Sequence, residues 1–255
     1  MKALISPVSL EEARAVVAGG ADIVDIKNVK EGSLGAQGPW VIKSVVDEFH
    51  GQGMICSAAL GDLPFKPGTA ALAAYGAAHC GADYLKAGLH GITNYEQALA
   101  MMEAVVRAVR MVSPDILVVA CGYADFRRYG GVSYRDVVQA AIDANCDVAM
   151  LDTAIKDGKT LFDALTLDEM REFVDLAKDG GLMVALAGSV KKEHIEALVD
   201  IRPDIVGVRG AVCDGGDRTN GITRDKVEAF MAYFRSVCPE RGPDLLKRQV
   251  AAANQ

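Results

Sequence analysis

Residues 19–28 read Gly-Gly-Ala-Asp-Ile-Val-Asp-Ile-Lys-Asn, a helix stop followed at once by a short strand. The Gly19-Gly20 pair ends a helical pattern, and β-branched residues crowd Ile23 to Lys27, as in a buried strand. Side chains alternate along a strand, so Asp25 and Lys27 share one face while Val24 and Ile26 share the other. With Val24 and Ile26 packed under helices, the lysine and the carboxylate point into the closed interior of a sheet. Neither residue is normally buried there without a partner.

The same turn recurs along the chain. Gly81-Ala82-Asp83, Asn145-Cys146-Asp147 and Arg202-Pro203-Asp204 each precede a strand-like run, just as Gly20-Ala21-Asp22 does. Eight such runs are expected: Ala3 to Ser6, Ile23 to Lys27, Met54 to Leu60, Tyr84 to Gly88, Ile116 to Cys121, Val148 to Asp152, Met183 to Ala187 and Ile205 to Arg209. Amphipathic helical stretches separate them, with capping boxes expected at Ser9/Glu12, Thr93/Glu96 and Thr166/Glu169. Eight βα units in 255 residues favour a single-domain α/β fold, the (β/α)8 TIM barrel, over an open doubly wound sheet. The barrel is expected over 1–238, with an appended tail over 239–255. The recurring Asp residues stand at strand beginnings, the stability face of a barrel, and are read as structural.

Composition narrows the partners. Apolar residues make up 51% and charged ones 24%, ordinary for a soluble globular chain. A net charge of -7 argues against nucleic acid or an anionic membrane as partner. No apolar run approaches a membrane span, and Glu11 and Glu12 interrupt any signal-like core, so a cytoplasmic protein is expected. The six cysteines lie at wide spacings without Cys-x-x-Cys and read as reduced packing residues. Homo-oligomerisation is left open.

In a barrel the chemistry gathers where strands end and the following loops begin. Strand 2 ends in Lys27, strand 4 carries Lys86, strand 6 ends in Asp152 with Lys156 just beyond, and strand 8 ends in Arg209-Gly210. Alternate strands fill one interior layer, so Lys27, Lys86 and Asp152 are expected to converge at matching depth. Any one such lysine alone reads better as a solvated strand-end charge. A lysine amine attacks a carbonyl only when unprotonated, and a second cation nearby lowers its pKa. Lys86 is expected to do this for Lys27, with Asp25 holding or relaying protons beside it. The resulting iminium is an electron sink for lysine-based aldol chemistry.

Phosphate is the expected handle on the substrate. Barrels often bind it with the loops after strands 7 and 8, here Ala187-Gly188-Ser189-Val190 and Arg209-Gly210-Ala211. Gly188 allows close backbone approach, and Ser189 is expected to cap the next helix, whose N–H groups favour an anion. Gly-Ser as a plain turn and cap is the blander reading. The Glu31–Gly35 loop offers a lid or an anion contact, while Gly61–Gly68 and Gly122–Asp125 lie on the functional face without assigned chemistry. His50, His79, His90 and His194 are scattered, and Gly215-Gly216-Asp217-Arg218 lacks dinucleotide spacing. No metal and no cofactor are expected.

These residues carry a resemblance. Gly19–Asn28 running into Glu31-Gly-Ser-Leu-Gly-Ala36, with Ser57–Asp62, Asp83–Lys86, Gly122–Asp125, Leu151–Lys156 and Gly207–Cys213, is similar to the (5-formylfuran-3-yl)methyl phosphate synthase family. The similarity runs from about residue 3 to residue 235. Val29 departs from it, standing where many members have proline. The resemblance implies condensation of two glyceraldehyde 3-phosphate molecules into the phosphorylated furaldehyde, with loss of water and one phosphate, toward methanofuran. It further implies that Lys27 forms the Schiff base and Lys86 accepts a proton, with Asp152 and Lys156 assisting. A class I aldolase acting on a sugar phosphate would use the same lysines, and a non-catalytic phosphate-metabolite barrel would bind without turnover.

Overall fold

Eight strands form the centre of the computed structural model, which describes residues 1–238. The tail expected over 239–255 lies outside the described residues. The strands are β1 (Lys2–Ile5), β2 (Ile23–Ile26), β3 (Ile55–Pro64), β4 (Tyr84–Gly91), β5 (Leu117–Tyr123), β6 (Val148–Asp152), β7 (Met183–Leu186) and β8 (Ile205–Val208). Each pairs in parallel with the next and β8 returns to β1, closing a (β/α)8 barrel with no open edge. Around it run α1 (Leu10–Ala18), α2 (Pro39–Phe49), α3 (Pro67–Ala78), α4 (Tyr95–Arg110), α5 (Tyr134–Asp143), a short α6 (Leu161–Ala164), α7 (Leu167–Asp179), α8 (Ile195–Ile201) and α9 (Arg224–Val237).

The recurring Asp does the same work four times. Asp22 accepts from Ala3 N, Asp83 from Cys56 N, Asp147 from Val118 N and Asp204 from Val184 N. Each carboxylate, standing just before an even-numbered strand, ties down the beginning of the odd-numbered strand before it. The backbone doubles the tie, since the same four Asp N–H groups donate to the carbonyls of those same four residues. The barrel's lower rim is therefore stitched by one device repeated with a two-strand period.

Caps follow the expected positions with one shift. Thr166 and Glu169 form a full capping box, and Ser9 accepts from Glu12 N. At α4 the cap is Asn94 rather than Thr93, with Gln97 reaching back to Thr93 N. Strands β3 and β4 run past their expected ends, to Pro64 and Gly91, because they continue pairing with each other through register shifts at Asp62 and Pro64. Polar and glycine residues hid that extension, and a bulged pairing is what carries it.

Two apolar layers result. One lies between sheet and helices and includes Val24 and Ile26; the other fills the barrel, with Leu4, Ile23, Ile55, Tyr84, Leu117, Val148 and Ile205 below Cys121, Met150 and Ala187. The interior thus changes from apolar at the strand beginnings to charged at the strand ends. Asp25, Lys27, Ser57, Lys86 and Asp152 are all buried on that inner face.

Candidate active site

The strand ends open into a cavity of about 430 Å³, within the size range of small-molecule sites. Asp25, Lys27, Asp152, Lys156, Gly188, Ser189, Arg209 and Gly210 all line it. Lys86 does not. It lies one interior layer deeper, 1% exposed, with Nζ 2.5 Å from Asp25 Oδ1. That places it level with Asp25 rather than Lys27, because the tilted strands of a closed barrel stagger their registers. The expectation of Lys27, Lys86 and Asp152 at one depth is corrected accordingly.

Asp25 separates Lys86 from the cavity. Its Oδ2 accepts from Ser6 Oγ at 2.8 Å, while Oδ1 faces Lys86 Nζ out of line for a hydrogen bond. Ser57 Oγ, in register beside Asp25 on β3, is buried without a hydrogen-bond partner. A fully buried carboxylate against a fully buried ammonium is a strong ion pair only while both stay charged.

Lys27 is 7% exposed and its pKa falls to about 8. Burial is the main cause; Asp152 and Asp25 pull the value up, and Lys86 and Lys156 push it down by less. Lys86 was expected to lower the value and does so, but desolvation does more, as it must for an ammonium packed inside a barrel. At neutral pH about a tenth of Lys27 is then the free amine, against roughly three in ten thousand for an ordinary lysine.

Asp152 is held firmly as the carboxylate. Burial pushes its pKa up, but Lys156 and Lys27, with hydrogen bonds from Lys156 and Thr153 N, outweigh it and hold the group below the usual range. Lys156 Nζ donates to Asp152 Oδ1 at 2.6 Å and to Thr153 Oγ1 at 3.0 Å. The β6 loop that places Lys156 is fixed by Asp125, which accepts from Ala154 N and Ile155 N. So the Gly122–Asp125 stretch, given no chemistry from sequence, positions a charged group of the cavity.

The loops after β7 and β8 behave differently from each other. Gly188 has φ +110°, and a Cβ there would come within 2.9 Å of the Thr153 side chain, so only glycine lets this turn close on β6. Ser189 follows with φ +50°, but it caps no helix: a 3-10 turn begins at Lys192 and α8 only at Ile195. The expected helix cap is corrected. Arg209 lines the cavity, yet its five N–H donors are committed to Glu12, Ser6 O, Arg218 O and Asn220 O. It locks β8 to α1 and to its own loop, leaving no donor for a phosphate.

The Glu31–Gly35 loop, the expected lid, is tied to β3 and to the loops after β6 and β8. Ser33 N and Leu34 N donate to the Asp62 carboxylate, Ser33 Oγ donates to Thr153 O, and Arg218 Nη2 donates to Gly32 O. Tyr123 Oη also donates to Asp62. Asp62 and Arg218 were missed from sequence because both act on residues far along the chain. Among the described residues no group of three or more His, Cys, Asp or Glu is placed to hold a metal ion, and no helix is long and apolar enough to cross a membrane.

A family model for 4-HFC-P synthase matches residues 3–231, nearly the whole described chain. The chain belongs to this family. Relatives of the 4-HFC-P synthase family include the (5-formylfuran-3-yl)methyl phosphate synthases of Methanocaldococcus jannaschii and Methanothermobacter thermautotrophicus. The first is 57% identical, covering 88% of this chain and 96% of its own; the second is 54% identical, covering 92% and 100%. Among solved structures, 3-hexulose-6-phosphate synthase from Salmonella typhimurium superposes with a TM-score of 0.64 at 16% identity, over 93% of this chain and 100% of its own. Phosphoribosyl anthranilate isomerase from Thermus thermophilus gives 0.59 at 17%, over 93% and 100%. At such identities these two show the barrel alone, whereas the family match spans residues 3–231.

Proposed function

We propose that this 4-HFC-P synthase family member condenses two glyceraldehyde 3-phosphate molecules into (5-formylfuran-3-yl)methyl phosphate, an early furan intermediate toward methanofuran. Atom balance requires one phosphate and two waters to leave. The observation that carries this reading is Lys27: a buried amine with a pKa of about 8 on a small-molecule cavity, with the charges of Asp152 and Asp25 acting on it.

The neutral Lys27 amine adds to the first aldehyde, and the carbinolamine loses its hydroxyl as water to give an iminium. Asp152, held as the carboxylate, stabilises that cation, and Lys156 beside it supplies the proton that the departing hydroxyl takes. The α-proton next leaves to Asp25, which lines the cavity and stands 2.5 Å from Lys86. Lys86 acts behind Asp25, as the deeper partner in the proton path. The resulting enamine attacks the second aldehyde, forming the new carbon–carbon bond. Gly188, Ser189 and Gly210 hold a substrate phosphate at the cavity rim.

Pure protein incubated with glyceraldehyde 3-phosphate alone, followed by ultraviolet absorbance and product mass, tests the reading. A furan chromophore with the mass of the phosphorylated furaldehyde is expected. Reversible cleavage of a sugar phosphate without a furan would instead identify a class I aldolase, and tight binding without turnover a metabolite-binding barrel.

A further inference from the structure

Of the cavity's cations that neither the fold nor the reaction explains, Lys191 is exposed and Arg218 is half-buried. Arg218 stands with Gly216 and Asp217 on the loop after β8 and lines the cavity. One of its donors goes to Gly32 O of the lid at 2.9 Å. The carboxylates that act on it are committed elsewhere: Asp152 to Lys156, and Asp62 to Ser33, Leu34 and Tyr123. Burial pulls its pKa down, Asp152 opposes, Arg209 adds to the lowering and Asp62 opposes.

Three other cations of the barrel are matched: Lys156 by Asp152, Lys86 by Asp25 and Arg209 by Glu12. Lys27, about nine-tenths protonated at neutral pH, has the charges of Asp152 and Asp25 acting on it. That leaves a guanidinium held in a partly dry mouth with no ion pair among the described residues: the neighbouring Asp217 feels its charge but spends Oδ1 on Thr219 N and Oγ1, and such a cation is costly unless a ligand pairs it. Guanidinium presents a planar fork of donors that fits a phosphate through two parallel hydrogen bonds. The loop beside it is built close: a Cβ on Gly210 would stand 3.0 Å from Gly216 O, and Gly216 itself has φ +76°.

We propose that Arg218 forms a second phosphate-monoester subsite, and that an anion held there fixes the lid through the Gly32 carbonyl. The Gly188–Ser189 turn, on the loop after β7, lines the same cavity and packs on Thr153, whereas Arg218 comes from the loop after β8 and bonds Gly32 O. The proposal rests on the two-substrate reading above, in which two triose phosphates bring two phosphate groups and that turn takes one.

The test uses inorganic phosphate on the whole chain, read by hydrogen exchange of residues 31–35, together with turnover. Phosphate is expected to slow exchange of the lid in the wild type, and Arg218→Gln to need roughly tenfold more phosphate for the same protection. Arg218→Lys, which keeps the charge, recovers part of it and serves as the folded control. Arg218→Gln also raises KM for glyceraldehyde 3-phosphate by about tenfold or more, while borohydride trapping of unphosphorylated glyceraldehyde on Lys27 is unchanged. Equal lid protection by phosphate in wild type and Arg218→Gln overturns the subsite even when the furan forms. Absence of the furan in the wild type, with lid protection still dependent on Arg218, overturns the reaction and leaves the subsite standing.

Discussion

Replacing Lys27 with methionine should stabilise the protein while abolishing its chemistry, and the gain should depend on pH. Lys27 binds its proton less tightly folded, with a pKa of about 8, than at its ordinary value of 10.5. Unfolding therefore takes up a proton between those two values, and the Lys27 contribution to wild-type stability rises with pH across that window. Below it the full penalty applies: a shift of 2.5, at 1.36 kcal/mol per unit, is about 3 kcal/mol. Near pH 10 most of the folded amine is neutral and the penalty falls to about 1 kcal/mol. Methionine has similar length and no charge, and Asp152 and Asp25 keep their other partners, Lys156 and Lys86. Urea unfolding of both proteins near pH 7 and near pH 10 reads the difference. A Lys27→Met variant that is no more stable near neutrality, or whose advantage is the same at both pH values, would refute the burial argument. Such a gain in stability at the cost of activity is what a strained functional site predicts.

Asp152→Asn removes a carboxylate that raises the Lys27 pKa. The acid limb of the kcat/KM profile, expected near pH 8 in the wild type, should move to lower pH while kcat drops about a hundredfold; a limb that stays or moves up contradicts the assignment. Asp25→Asn leaves the Lys86 ammonium buried without its counter-charge and should cost about 3–5 kcal/mol in unfolding free energy. Ser189→Asp puts a negative charge at the rim turn and should raise KM by about tenfold or more, while Ser189→Asn, which tolerates the same positive φ, should not. Wild-type affinity in Ser189→Asp would remove that turn from the phosphate site.

The barrel was legible because its signals are local. Helix stop, Asp and β-branched run recur four times, and each Asp bonds a neighbouring strand within a unit of known topology. Lys27, Asp152 and Lys156 were legible for a similar reason, since alternation on a strand and position at its end fix where a side chain points. Depth was not legible. Strand stagger drops Lys86 to the level of Asp25, and nothing in its own sequence neighbourhood records that. Arg209 was misread because its partner, Glu12, lies 197 residues away, and a strand-end arginine looks the same whether its donors are free or committed. Asp62 and Arg218 were passed over because each holds a loop that the sequence places far from it. A second arginine nine residues after the first, on a glycine-rich loop behind a barrel strand, was the available signal.

The central claim is that Lys27 is the covalent residue. Wild-type protein mixed with glyceraldehyde 3-phosphate and borohydride, then digested and mapped by peptide mass, should carry a reduced adduct on Lys27. Lys27→Arg should carry none, and Lys86→Arg should still carry it on Lys27 while forming no furan. A stable adduct on Lys86 or Lys156 with Lys27 unmodified would contradict the claim.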